Sequence, residues 1–99
     1  MRRGPVTVTW VPVVDGLPPR IAYAVGRKAG GAVIRNRIRR RLKAVVWETR
    51  FLLDPGAYLV GGTARVATMS YQELRSAIWE VLEALGAVPP GSRPPAEAS

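Results

Sequence analysis

The stretch Gly26-Arg27-Lys28-Ala29-Gly30-Gly31-Ala32-Val33-Ile34-Arg35-Asn36-Arg37-Ile38-Arg39-Arg40-Arg41-Leu42-Lys43 decides how this chain is built. Ile34, Ile38 and Leu42 recur every fourth residue, and Val45 and Leu52 continue the series at helical spacing. That is the period of an amphipathic helix, predicted over residues 32–53. On a helical wheel the apolar positions fill a sector of about 80°, which must face a core. Asn36, Arg39, Arg40 and Lys43 point the other way. Arg35 and Arg41 flank the apolar stripe, where their stems can pack while their guanidinium groups reach out. Asp54-Pro55-Gly56 is expected to stop the helix, because proline cannot continue it and glycine relieves the backbone at the exit.

On the upstream side, residues 20–25 alternate Ile21, Tyr23 and Val25 with Ala22 and Ala24, which is the two-residue period of a strand. Residues 5–14 are β-branched throughout, with Val6, Val8 and Trp10 on one side and Thr7, Thr9 and Val11 on the other. They read as a first strand, antiparallel to the second across the turn Asp15-Gly16-Leu17-Pro18-Pro19. Downstream, residues 57–60 form a short apolar strand and residues 61–69 a loop. Ser70-Tyr71-Gln72-Glu73 is a capping box, since the serine hydroxyl and the glutamate carboxylate can each satisfy an amide at the other's position. The helix it opens carries Leu74, Ile78, Val81, Leu82 and Leu85 on one stripe and ends at Gly86. Residues 87–99 hold four prolines and no periodicity, and are expected to be a disordered tail beyond a single domain of residues 1–86. The order strand, strand, helix, strand, helix implies an α+β fold, a two-layer sandwich with both helices on one face of a small sheet.

The chain has 99 residues, 15 Lys and Arg against 7 Asp and Glu, and a formal net charge of +8. Eight of the basic residues, and no acid, fall within residues 27–43, so the rest of the chain is neutral. A field confined in this way marks a localised surface for a polyanion. Arginine outnumbers lysine there, and its planar fork suits bidentate phosphate contacts. Asn36 sits among these cations with an amide that can donate and accept. It can read a base edge or a ribose hydroxyl, or it can serve the amides of the first helical turn. Gly26, Gly30 and Gly31 allow a tight strand-to-helix turn and also a close approach of phosphate to the helix N-terminus. Trp47 and Phe51 fall away from the apolar stripe, where they either stack on a base or guanidinium or are covered by the exit loop, the first strand or another chain. Tyr23 is expected either on an open sheet face or in ordinary packing.

Several chemistries are excluded by absence. With no cysteine and no histidine there is no disulfide, thiolate nucleophile, imidazole base or Cys/His metal site. The acids form no D-x-D or D-x-x-E pair of the kind that holds two metal ions. The G-K-[ST] ending of a nucleotide-binding loop is missing after the glycines. No apolar run nears the roughly 20 residues that cross a bilayer, and no signal peptide is evident, so a cytoplasmic protein without membrane association is expected.

The quoted stretch closely resembles the signature of the bacterial ribonuclease P protein component: a basic pair, glycine, Ala32-Val33, then Arg35-Asn36-Arg37 and further cations on a helix. Gly56-Ala57-Tyr58-Leu59-Val60 and Ser70-Tyr71-Gln72-Glu73-Leu74 are also similar to that family, over residues 5–86 in all. The resemblance implies a protein subunit of ribonuclease P, part of an endoribonuclease whose RNA carries the active site and its Mg2+, with no cofactor on the protein itself. The implied partners are the ribonuclease P RNA subunit and the 5′ leader of precursor tRNA. Residue by residue it places Arg27, Lys28, Arg35, Asn36, Arg37, Arg39, Arg40 and Lys43 at the catalytic RNA or the leader entrance; Tyr23 and Trp10 are candidate leader contacts beside them. It also implies a left-handed crossover around the basic helix, against the usual right-handed rule. Family members usually begin with a short helix bearing a basic residue and a phenylalanine, so this chain reads as an N-terminally short member. Thr9 stands where an aromatic is common. The competing reading is a structural RNA-binding module, such as a ribosome-associated protein.

Overall fold

The computed structural model describes residues 1–92. It contains β1 (Arg2–Arg3), β2 (Val6–Pro12), β3 (Arg20–Ala24), α1 (Ala32–Thr49), β4 (Gly56–Gly62) and α2 (Tyr71–Leu85), with single 3-10 turns at Arg27–Ala29 and Ala64–Ala67. The four strands form one mixed sheet in the order β1-β2-β4-β3. β2 runs antiparallel to β4, with Val8 opposite Val60 and Trp10 opposite Tyr58. β3 runs parallel to β4, with Tyr23 opposite Val60. The first two long strands, expected to pair with each other, are therefore not neighbours. β4 inserts between them, because α1 carries the chain from the end of β3 back to the start of a parallel strand.

The alternation in each strand sorts the two faces. Val6, Val8, Tyr58 and Val60 point inward and are buried, while Thr7, Thr9, Ala57 and Leu59 stay exposed. α1 lies over β3 and β4, and α2 over β2 and β1. Their buried residues, Ile38, Leu42, Val45 and Val46 from α1 and Leu74, Ile78, Trp79, Val81 and Leu82 from α2, close one core on that face. This is the α+β two-layer sandwich read from the sequence. Gly62 lets the layers meet, since a Cβ there would come within 2.8 Å of Val66 Cγ2 and 3.5 Å of Ile38 Cγ2.

Five local expectations change. α1 ends at Thr49, not near residue 53: the amides of Leu52 and Leu53 both return to the Thr49 carbonyl, and Thr49 Oγ1 donates to Val46 O at 2.7 Å. Leu53 takes the buried place expected of Leu52. Gly56 opens β4 instead of stopping α1. Its φ of +141° is one that L side chains rarely adopt, and a Cβ there would sit 2.3 Å from Val11 O. Trp79, beside the apolar stripe of α2, is fully buried although the spacing left it out. Finally, the packed domain continues past Gly86. Ala87 and Val88 are buried, and the Asp54 amide donates to Ala87 O at 2.8 Å, tying the α1–β4 connection to the segment after α2. The remainder of the expected tail, residues 93–99, lies outside the described residues.

α2 forms as its capping box predicts. Glu73 N donates to Ser70 Oγ at 3.1 Å and Ser70 N donates to Glu73 Oε1 at 3.2 Å. Gly86 closes the helix in the left-handed conformation at φ +76°, with Ala87 N returning to Leu82 O.

Candidate nucleic-acid interface

The cations of α1 are held by the apolar stripe beneath them. Arg35, Arg37, Arg39, Arg40, Arg41 and Lys43 occupy the N-terminal two thirds of the helix, where the macrodipole disfavours positive charge, and the first turn contains no acid. Gly31, the N-cap, supplies no side-chain acceptor to the first amides. Locally this is a poor helix start. Packing of Ile38, Leu42, Val45 and Val46 against the sheet stabilises it, and the unfavourable charge is kept on the solvent side, where an anion would relieve it.

Arg27 and Lys28 are exposed on the 3-10 turn that leads into α1, so they extend the same basic surface past the helix N-terminus. Gly30, at φ +138°, makes that connection, and its missing Cβ leaves room for Ile34 at 3.1 Å. Arg37, Arg40 and Lys43 are exposed, and Arg39 is half-buried. Asn36 Oδ1 accepts from Arg39 Nη1 at 3.1 Å. The pairing fixes one guanidinium and leaves the Asn36 amide nitrogen outward. Arg35 is half-buried, with its Nε enclosed and without a protein acceptor. Arg41 has a structural task, donating from Nη1 to Val66 O at 2.6 Å and clamping α1 to the Ala64–Ala67 turn.

Trp10 and Tyr23 do not join this cluster in the same way. Both point to the helix-covered face of the sheet, so of the two placements open to Tyr23 it takes ordinary packing. Burial raises the Tyr23 phenol above its ordinary pKa. Lys43 Nζ stands 5.9 Å from the centre of its ring, so Tyr23 borders the basic helix. Trp10 lies across the sheet, stacked on Tyr58 at 5.8 Å between ring centres and donating from Nε1 to Pro55 O at 3.3 Å. Tyr58 in turn donates to Asp54 O at 2.6 Å, and burial, with the Asp54 charge, pushes its pKa up to about 12.

Sequence spacing missed two contributors. Arg50 lies just past α1, with its guanidinium 3.9 Å from the Trp47 ring centre and 4.4 Å from that of Phe51. Neither ring is covered by the exit loop or the first strand, since Trp47 is 65% exposed and Phe51 85%. An arginine three residues after one aromatic and next to another was the available signal. The second is Arg75, which binds Glu48, the one acid on α1, through Nε at 2.9 and 3.2 Å.

Residues 1–86 match the sequence profile described as Ribonuclease P. The ribonuclease P protein component of Beutenbergia cavernae is 47% identical over 45 residues, which cover 46% of this chain and 38% of that protein. The component of Symbiobacterium thermophilum is 39% identical over 72 residues, 72% of this chain and 63% of that protein. The chain thus spans between 38% and 63% of the length of these relatives. In shape it is similar to the RNase P protein of Staphylococcus aureus, with a TM-score of 0.76 over 90% of this chain and 82% of that one, at 18% identity. The profile match, which takes in every strand and both helices, places the chain in the ribonuclease P protein family.

Proposed function

We propose that this chain acts as the protein subunit of ribonuclease P, docking on the catalytic RNA along α1 and assisting removal of the 5′ leader from precursor tRNA. The observation that carries this reading is the ridge of cations on α1 from which acid is withheld, with Glu48 turned onto Arg75. Phosphate oxygens would be held by Arg37, Arg39, Arg40 and Lys43, and by Arg27 and Lys28 beside the helix N-terminus. Arg35 and the Asn36 amide complete the RNA surface. Tyr23 and Trp10, each half-buried, are the aromatic edges assigned to the leader.

The chemistry belongs to the RNA in this reading. Its Mg2+ would find no ligands on the basic face, whose neighbouring carboxylate is held by Arg75. The protein's part is to neutralise phosphates where RNA strands crowd together, which lowers the concentration of divalent ions needed to do the same. The implied compartment is the cytoplasm; among the described residues no helix is long and apolar enough to cross a membrane. Single-turnover cleavage of precursor tRNA by the RNA subunit, at magnesium too low for RNA alone, is the test. Added protein is expected to restore cleavage and leave the cut site unchanged. No acceleration, together with retention of a ribosomal RNA in a pull-down, would overturn the reading in favour of a structural RNA-binding module.

A further inference from the structure

The C-terminal end of α1 carries a feature that phosphate binding does not use. Positions 36, 40, 43 and 47 recur at three- and four-residue steps, so Asn36, Arg40, Lys43 and Trp47 line one ridge of the helix. The ridge rises about 16 Å from Asn36 to Trp47. At its far end the Arg50 guanidinium lies over both Trp47 and Phe51, and Arg50 Nη1 donates to Trp47 O at 2.6 Å. Between this cluster and β3 is a cavity of about 280 Å³, lined by Ile21, Tyr23, Lys43, Val46, Trp47 and Arg50. That is a little under the roughly 300–1,000 Å³ of pockets for drug-sized ligands, and it is walled by rings and aliphatic stems under two cations.

We propose that the Trp47, Arg50 and Phe51 cluster seats an unpaired nucleobase of the catalytic RNA whose backbone runs along the α1 ridge. The proposal rests on the RNA-docking reading above. Every base has an aromatic face, so flat rings at the end of a phosphate-binding ridge accept any unstacked base without reading its sequence. Arg50 is placed to serve both parts of a nucleotide, since its plane stacks with rings and its outer edge remains cationic.

Charge selects this occupant over others. A second copy meeting the patch about a two-fold axis would bring Arg40, Lys43 and Arg50 against their own equivalents, with no acid on the ridge to offset them. The one acid of α1 faces α2 and is held by Arg75. A membrane would require an apolar face along the helix, whereas the exposed rings are confined to one end.

The experiment measures binding of the full chain to the ribonuclease P RNA transcript across a salt series, for wild type, Trp47→Ala, Phe51→Ala, Trp47→Phe and Arg40→Ala. Stacking loses affinity without releasing counterions. Trp47→Ala and Phe51→Ala are therefore expected to bind about tenfold more weakly with an unchanged slope of log K against log salt, whereas Arg40→Ala flattens the slope. Trp47→Phe keeps a ring and should recover most of the loss. Near-UV circular dichroism from buried Trp79 reports whether each variant is folded, and Phe51→Ala, at a ring 85% exposed, carries the test if Trp47→Ala is not. Equal binding by native Trp47→Ala and wild type overturns the base site while leaving RNA docking intact. So does an ultraviolet cross-link from Trp47 to precursor tRNA, to an acidic protein or to a second copy. Absence of any salt-dependent binding by wild type removes both readings together.

Discussion

Arg75 on α2 donates through Nε to Oε1 of Glu48 on α1 at 2.9 Å, and both side chains keep some solvent contact at 17% and 31% exposure. The pair does more than join two helices. It fixes the one acid of α1 toward α2, at the side of the helix, and so keeps the opposite ridge free of negative charge.

If that is its role, removing Arg75 should affect RNA binding more than folding. A partly exposed ion pair is worth less than about 1 kcal/mol, so Arg75→Ala should shift Tm by only a few degrees. The freed Glu48 carboxylate should weaken RNA binding about twofold to threefold at low salt, with the effect fading as ionic strength rises. Adding Glu48→Gln to Arg75→Ala should restore the affinity. An equilibrium binding series on the single and double variants checks this.

The arginines of α1 should separate into two groups. Arg37→Ala is expected to reduce the slope of log K against log salt by about 0.7–0.9 and leave thermal stability nearly unchanged. Arg41→Ala should instead lower stability by about 1–3 kcal/mol, because it leaves the partly buried Val66 carbonyl without its donor. Urea melts beside RNA titrations distinguish the two behaviours.

Ser70→Ala should destabilise the protein by about 1 kcal/mol through loss of the α2 cap. The hydrogen bond from the Ser70 amide, more than any nearby charge, holds the Glu73 carboxyl below its ordinary pKa. A lowered pKa in the folded state means that this contribution is present above the unfolded value and lost as pH falls through the folded one. Carbon-detected NMR titration should therefore find Glu73 titrating below an ordinary glutamate in wild type, and moving only part of the way back in Ser70→Ala, which loses the hydroxyl but keeps the backbone amide.

Gly56→Ala should be among the most damaging small substitutions. It combines a φ of +141° with a Cβ placed 2.3 Å from Val11 O, so β2 and β4 could not keep their register. Gly62→Ala meets only side-chain methyl groups and should cost about 1–3 kcal/mol by overpacking. Chemical denaturation of both variants gives the ranking, and a Gly56→Ala protein as stable as wild type would contradict it.

Much of the basic face was legible in the residues. Hydrophobic period placed Ile38, Leu42 and Val45 inward and Asn36, Arg40 and Lys43 outward, as they lie, whereas Ile34, also placed inward, is 39% exposed and Arg39, placed outward, is half-buried. Ser70 and Glu73 likewise announce α2, because a cap is an interaction within one turn. The same local rules failed where a distant group took over. α1 stops at Thr49 because the chain must turn to bring Leu53 and then β4 under the helix, and nothing within four residues of Thr49 signals that. Asn36 was ambiguous because its partner, Arg39, is chosen by side-chain rotamer and not by spacing.

What local sequence specified here is the set of elements, the buried stripe of each and the confinement of all net charge to residues 27–43, since periodicity, caps and charge are read over short distances. Only the tertiary structure decided that β4 lies between β2 and β3, that Ala87 and Val88 belong to the core, and that Glu48 pairs with Arg75. It also decided that Trp47 and Phe51 stay in solvent around Arg50. Each of these depends on which surfaces meet across dozens of residues, where burial of shared apolar area outweighs any preference a short segment expresses by itself.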